Sequence, residues 1–433
     1  MNLNSLLIDA MKDLEFETAT EIQQKSIPIA LKKKDILAAA QSGTGKTAAF
    51  LLPILNEIHE NEQGFKEKTL RALIIVPTRE LANQISKVIE DFSKYIRIEK
   101  AVVYGGVSST TQAKKIERGL DILVATPGRL QEHIRNKTVD LSSVTTLVVD
   151  EVDTMLDMGF LSDIETIFQE ANQTRQILMY SATMNQNVKK LAKEFLKDPI
   201  VVEVSPQRSS VKKIIQRVIE VDPDKKAELL SYIIGSENYS QVLVFVNTKK
   251  EADGLVEHLN LDGLPASCIH GDIRQTARAK ALRKFRSGDN RVLVATDIAA
   301  RGIDIQMLPL VVNFELPESV SDYTHRIGRT GRAGQSGHAI TLLSVKDYKM
   351  MKEIEKELIL DLGREIVDDF EPSEKKPRIF VHKKRPLSQK KGLKDKFGKP
   401  KTTKKTTKKT TQKAKQKTSK KTTKRDENRN FRK

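Results

Sequence analysis

The sequence predicts an α/β protein of two tandem doubly wound parallel-sheet domains followed by a disordered basic tail, and three observations carry that prediction. Short apolar runs alternate with amphipathic segments through residues 35–204, and the alternation restarts after a polar stretch at 205–210. The first series contains a Gly-Thr-Gly-Lys-Thr loop at 43–47, and the second has no counterpart to it. Toward the C-terminus apolar residues thin out and lysine takes over. At 433 residues the chain is too long for one core, because single cores stop growing at about 250–300 residues.

In chain order, Asp35-Ile36-Leu37-Ala38-Ala39 reads as the first strand and Ala48-Ala49-Phe50-Leu51-Leu52 as the start of a helix. Leu73-Ile74-Ile75-Val76, Lys100-Ala101-Val102-Val103, Ile122-Leu123-Val124-Ala125, Leu147-Val148-Val149 and Gln176-Ile177-Leu178-Met179 follow as further strands. Such near-continuous apolar runs are what a parallel sheet requires when helices cover both of its faces. The first domain is expected over 1–204 and a linker over 205–212. Over 213–365 the clearest strands of the second domain are Val242–Val246, Arg291–Ala295 and Leu310–Asn313. Two doubly wound domains follow, one with the nucleotide loop and one supplying something to it.

The tail is expected over 366–433. Residues 371–433 hold 26 Lys and Arg against 5 Asp and Glu, a net of +21, so the formal +18 of the chain leaves −3 for residues 1–370. Lys-Thr-Thr-Lys-Lys recurs from 401, and a segment this poor in apolar side chains cannot offset the entropy of ordering itself. A solubility appendage is the rival reading of such a tail. The single cysteine, Cys268, excludes an internal disulfide and any Cys-based zinc site, and its expected role is core filler on the strand Ala266–Ile269. That usage suits a reducing cytosol. The N-terminus lacks the pattern of a signal peptide, and no stretch approaches 18 uncharged apolar residues. A soluble, cytoplasmic protein with no membrane contact is expected.

The chemistry concentrates in two elements. In Ala40-Gln41-Ser42-Gly43-Thr44-Gly45-Lys46-Thr47, Gly43 and Gly45 let consecutive N–H groups turn toward phosphate oxygens, Lys46 neutralises β/γ charge, and Thr47 offers its hydroxyl to Mg²⁺. A general phosphate loop begins with Gly where this chain has Ala40. The second element restores the assignment. Thr146-Leu147-Val148-Val149 runs into Asp150-Glu151-Val152-Asp153, so Asp150 stands at a strand end to hold Mg²⁺ through water while Glu151 orients the water that attacks the γ-phosphorus. In the second half, His325-Arg326-Ile327-Gly328-Arg329-Thr330-Gly331-Arg332 spaces arginines three apart on glycine-permitted backbone, which suits negative charge on a transferring phosphoryl group reached across a cleft. Asp297 and Asp304 stand near a strand end and are candidates for a ribose or for interdomain contacts.

With Phe16–Gln23, Pro77–Ala82, Gly105-Gly106, Thr126–Arg129, Ser181-Ala182-Thr183, Val244–Thr248, His270-Gly271-Asp272, Gln275, Arg278 and Thr296–Asp304 added in order, the chain resembles the DEAD-box RNA helicases of superfamily 2 over about residues 1–360. The spacing and basic tail look most similar to the bacterial RhlE-like branch. The resemblance implies two RecA-like domains and gives roles residue by residue. Phe16 would stack on adenine, Gln23 with Thr20 would read its edge, and residues 40–47 with Gly302 and Asp304 would complete the nucleotide site. The family writes Gly and Pro where this chain has Glu15 and Ala19, which implies a looser loop with the same base selectivity, and Val152 stands in place of Ala. Lys46, Asp150, Glu151, Arg329 and Arg332 would be catalytic, the last two as finger arginines. Asp153, Ser181, Thr183 and His325 would couple hydrolysis to RNA grip.

RNA contacts would come from Thr78, Arg79, Gly106, Thr126 and Arg129 in the first domain and from Asn247, Gly271, Arg278 and Thr296 in the second. Backbone N–H groups at Gly and Pro turns, short hydroxyls and a few arginines bind phosphates and 2′-hydroxyls without reading bases. The expected activity is ATP-dependent local unwinding of RNA with ATP and Mg²⁺, on single strands and short duplexes of any sequence, with ribonucleoprotein or RNA-decay partners reached through the tail. An ATP-gated RNA clamp or assembly platform is the alternative from another class, and a DNA helicase of the same superfamily is a third.

Overall fold

In the computed structural model the described residues are 3–40, 43–61, 69–204, 214–301, 303, 305, 307–331 and 337–373. All fall within one contact unit, Met1–Arg378. The first lobe contains β1 (Ile36–Ala39), β2 (Ala72–Ile75), β3 (Lys100–Val103), β4 (Ile122–Ala125), β5 (Thr146–Val149), β6 (Gln176–Ser181) and β7 (Ile200–Glu203). They pair in the order β3-β4-β2-β5-β6-β1-β7, every neighbour parallel. The second lobe contains β8 (Ile214–Glu220), β9 (Val242–Val246), β10 (Ala266–Ile269), β11 (Val292–Thr296), β12 (Leu310–Asn313), β13 (Gly337–Leu343) and β14 (Arg364–Glu365). Its order is β10-β11-β9-β12-β13-β8-β14, again parallel throughout. Counted from one to seven within each lobe, both sheets read 3-4-2-5-6-1-7.

Strand alternation divides each core in two. Ile36, Ile74, Val148 and Leu178 face one layer of helices in the first lobe, and Leu37, Leu73, Leu147 and Met179 face the other. The second lobe repeats this with Val242, Val244 and Val312 against Leu243, Phe245 and Val311. Each such side chain contributes about 1.5–3 kcal/mol by leaving water, so both sheets are clamped from two sides. This fixes the strand ends, where the open loops gather. The loop from Gly43, Asp150 and Thr183 follow β1, β5 and β6, while Asn247, Gly271 and Glu315 follow β9, β10 and β12.

The helix after β8 begins at Lys226, which is buried; its Nζ donates to the Phe314 carbonyl at 2.8 Å and lies 3.6 Å from Asp347. The packed second lobe extends past the boundary expected at 365. Phe370 is buried in its core, and the Ser373 N–H donates to Asp222 at 2.8 Å. The expected linker at 205–212 and the tail beyond 373 lie outside the described residues. No described helix is long and apolar enough to cross a membrane.

Candidate functional site

Gly45 opens the helix Lys46–Glu60 at φ 95°, and Gly43 lies at φ 79°. Both sit in the region that glycine enters without the cost an L-side chain bears. A β-carbon on Gly45 would collide with the Gln23 amide and press on Thr20 Oγ1, so glycine also lets the preceding turn close on the loop. Gln23 is buried there. Its Oε1 accepts from the Thr20 N–H at 3.0 Å, and its Nε2 donates to the Gly45 carbonyl at 3.2 Å. Phe16 keeps 42 % exposure with its ring edge-on to Phe92, centroids 5.5 Å apart. Glu15 takes φ 58°, the left-handed conformation for which the family's glycine is suited. Ala40 is buried, and its N–H donates to the Ser181 carbonyl at 2.9 Å. Gln41 and Ser42 lie outside the described residues, Thr44 flanks Gly45, and Thr47 is half-buried in the helix's first turn.

Lys46 is 6 % exposed, and its Nζ stands 4.0 Å from Asp150 Oδ1 with no hydrogen-bond partner among the described residues. A buried ammonium left this way forfeits hydration, which costs several kcal/mol in order of magnitude unless an anion compensates. Asp150 is 2 % exposed and accepts the Glu151 N–H at 3.0 Å. Burial raises its carboxyl above the ordinary value, and Lys46 pulls it back. Glu151, at φ 55° ahead of the helix Val152–Asp157, is raised by burial too, with Lys46 and then Arg329 opposing the shift and Asp150 reinforcing it. The polar cradle, the lysine without a hydrogen-bond partner among the described residues and the two crowded carboxylates fit a polyphosphate with a divalent cation, since added cationic charge relieves both acids.

Asp153 Oδ2 accepts from the Thr183 N–H at 2.8 Å and from Thr183 Oγ1 at 2.9 Å. Ser181 reaches Asp153 indirectly, donating to the Thr183 carbonyl at 2.7 Å. From the second lobe, His325 is held below its ordinary value by burial, with Asp153 the first charge opposing that shift. Arg329 donates to the Ile303 carbonyl at 3.1 Å, and its charge acts on Glu151. Arg332, Gly302 and Asp304 lie outside the described residues. Asp297, expected at a ribose or an interdomain contact, instead receives Arg326 Nε and Nη2 at 2.6 Å each.

The residues expected to touch RNA gather near the strand ends, but several are engaged within the protein. Thr78 caps the helix Arg79–Phe92 by accepting from the Leu81 N–H at 3.3 Å. Arg79 packs beneath Gly106, whose φ of 83° and lack of a β-carbon make room for its guanidinium. Thr126 is the cap residue of the helix Pro127–Arg135. Arg129 donates to the Val107 carbonyl at 2.9 Å and to Gln112 at 2.8 Å, holding the Gly105-Gly106 turn from behind. Asn247 donates to the Leu316 carbonyl at 2.9 Å and accepts from Arg326 at 3.0 Å. Gly271 has open space apart from the stem of Lys249, and Thr296 stands at the cap position of the short helix Asp297–Ala300 without a side-chain cap bond.

Sequence reasoning missed the contacts that join the lobes. Arg278 Nε lies 2.9 Å from Glu80, Gln275 donates to Glu80 at 3.2 Å, and Arg79 donates to Gln275 at 3.4 Å. Arg301 lies 3.5 Å from Asp157 and donates to Asp322 at 2.6 Å. It also missed Arg326, a fully buried guanidinium that ties Asp297, Asn247 and the Glu315 carbonyl together. Partner choice across lobes leaves no spacing signal, although an arginine beside two strand-end loops was visible.

The family profile described as DEAD/DEAH box helicase matches residues 20–191, and the one described as helicase conserved C-terminal domain matches 224–334. A DEAD-box ATP-dependent RNA helicase named CshA from Bacillus subtilis is 41 % identical over 354 residues, covering 82 % of this chain and 71 % of that protein. The DEAD-box ATP-dependent RNA helicase RhpA of Helicobacter pylori is 40 % identical over 364 residues, 83 % of this chain and 73 % of its own. Among solved structures, Saccharomyces cerevisiae Dbp5 bound to RNA and ADP BeF3 is 29 % identical with a TM-score of 0.76, covering 85 % of this chain and 95 % of that one. These relatives are named CshA and RhpA, and the RhlE-like placement has no support among them.

Proposed function

Because the chain belongs to the DEAD-box ATP-dependent RNA helicases, enzymes that hydrolyse ATP, we propose that its two RecA-like lobes close on Mg·ATP and single-stranded RNA, part a short duplex locally, and reopen after hydrolysis. The observation that carries this reading is Lys46, a buried ammonium beside Asp150 with no hydrogen-bond partner among the described residues, at the mouth of a Gly43/Gly45 turn. Residues 40–47 take the phosphates, with Phe16, Thr20 and Gln23 on the adenine and Gly302 and Asp304 on the ribose side. Thr47 and Asp150 hold Mg²⁺, which when bound supplies charge neutralisation between the phosphates. Glu151 accepts a hydrogen bond from the attacking water and aims it. Arg329 and Arg332 stabilise charge on the transferring group from the second lobe, each contributing on the order of 10³ or more in rate; Arg329 already acts electrostatically on Glu151.

Asp153, Ser181, Thr183 and His325 couple the two halves of the reaction. Thr183 reads the state of Asp153 through two hydrogen bonds, and His325 approaches the same carboxylate from the other lobe. Thr78, Arg79, Gly106, Thr126 and Arg129, with Asn247, Gly271, Arg278 and Thr296, form the row that follows an RNA backbone. Several act by shaping the turns that present backbone N–H groups, since their own side chains are engaged within the protein. The domains run over 1–204 and from 213, and the basic tail recruits RNA or ribonucleoprotein partners in the cytoplasm.

The test is ATP hydrolysis with and without RNA. Glu151→Gln keeps shape and loses acceptor charge, so nucleotide and RNA binding should persist while turnover collapses. Arg329→Ala should abolish RNA-stimulated turnover with ATP affinity nearly unchanged. A Glu151→Gln enzyme that hydrolyses ATP at the wild-type rate would refute the assignment.

A further inference from the structure

Among the described residues, one group outside the nucleotide and RNA candidates brings a thiol, an imidazole and a carboxylate together: Cys268, His270 and Asp253. Cys268 lies in β10 and His270 two residues on, so strand alternation sends both side chains to one face. Asp253 stands in the helix Lys249–Leu261, which packs against that strand. Cys268 Sγ donates to Asp253 Oδ1 at 3.3 Å, and His270 Nε2 lies 3.0 Å from the same oxygen. The three candidate ligand atoms all lie within 4.8 Å of one another. The His270 side chain is 6 % exposed and that of Asp253 64 %, so the group is anchored on one side and open to solvent on the other.

We propose that Asp253, Cys268 and His270 form a binding site for a thiophilic divalent cation, Zn²⁺ being the ion it suits best. One sulfur, one nitrogen and one oxygen are donors for zinc, whereas magnesium and calcium take oxygen almost alone. Zinc–ligand bond lengths on a tetrahedron place the oxygen about 3.4–3.6 Å from the nitrogen and the sulfur. The two observed separations to the Asp253 oxygen need to change by only a few tenths of an ångström. Binding forms three coordinate bonds and leaves a fourth position for water. The thiol proton leaves to solvent, the ring proton of His270 resides on Nδ1, and Asp253 contributes its existing negative charge, so one proton is released per ion. Burial and Asp253 hold that thiol proton, with Cys268 pushed up to about 12, and the cation must displace it.

The proposal departs from the expectation that one cysteine excludes any Cys-based zinc site, and Asp253, 15 residues from Cys268, shows no ligand spacing in the sequence. Gly271 follows His270 directly, and Lys249 pairs with Asp272 at 2.6 Å in the same turn. Occupancy therefore stiffens the turn at the end of β10 by tying it to the neighbouring helix.

The experiment uses the full chain, stripped with a chelator and titrated with Co²⁺. Cys268 is the single cysteine, so a thiolate-to-cobalt charge-transfer band reports this site and no other. The band should saturate at one Co²⁺ per chain, collapse on adding equimolar Zn²⁺, and be lost in Cys268→Ser and in Asp253→Asn. Asp253 is an exposed surface carboxylate, so RNA-stimulated ATPase equal to wild type, assayed with Mg²⁺ and no added Co²⁺ or Zn²⁺, verifies that its variant is folded. Wild-type protein that shows no band with equimolar Co²⁺, or a band that survives Asp253→Asn, overturns the site.

Discussion

Glu15 sits at φ 58° in the turn that presents Phe16, where its β-carbon crowds the following carbonyl. Glu15→Gly should remove that strain against a smaller loss from the freer unfolded chain, raising the unfolding free energy by about 0.5–1 kcal/mol. Urea titration of both proteins measures it, and a destabilised variant contradicts the reading. His325 provides a pH dependence with a definite sign. Lost hydration holds its imidazole below the ordinary 6.5. Above that value the unfolded histidine is neutral too, and no stability is lost. As the pH falls below 6.5 the unfolded chain takes up the proton first, so stability declines until the folded pKa is passed. One proton limits the slope to about 1.4 kcal/mol per pH unit. His325→Gln should flatten this acid limb, as denaturant midpoints from pH 7.5 down to 5 would register.

Between elements, the decisive contacts join the first turns of helices in different lobes. Glu80 lies in the first turn of the helix after β2 and Arg278 in the first turn of the helix after β10; with Gln275 they meet across the lobes. Glu80→Gln and Arg278→Lys should each raise the RNA concentration for half-maximal ATPase, and the double variant should cost less than the two together, with a coupling of about 0.5–3 kcal/mol. Strict additivity would show that the pair is not coupled. The sequence was legible where physics leaves a local mark. β2, β4, β5, β9, β11 and β12 are fully buried runs with an apolar pattern. β7 is mostly exposed, β8 mixes Gln216 and Arg217 into its pattern, and β14 is two residues long, so none of these bears a periodic signal. Likewise Lys46, Asp150 and Glu151 were readable from loop chemistry and strand ends, whereas the pairing of Glu80 with Arg278 depends on how two lobes meet.

For the whole molecule, charge separates the catalytic body from its tail. Residues 374–433 hold 26 Lys and Arg against 4 Asp and Glu. Truncation after Ser373 spares Phe370 and should raise half-saturation by RNA while leaving saturated turnover nearly unchanged. If the tail neutralises about five phosphates, the salt slope of log affinity for single strands should flatten by roughly 3–4 units. An unchanged slope would return the tail to a solubility role. The identical strand order of the two sheets places Lys226 where Lys46 stands in the first lobe, at the head of the helix after the first strand. There the ammonium is satisfied by the Phe314 carbonyl, and Asp222-Pro223 replaces the glycine turn. The second lobe thus seats its lysine on its own backbone. Equilibrium dialysis should return a stoichiometry of one ATP per chain, and the cycle needs no bookkeeping between two nucleotides because the second half responds to the first half's ligand without ever competing for it.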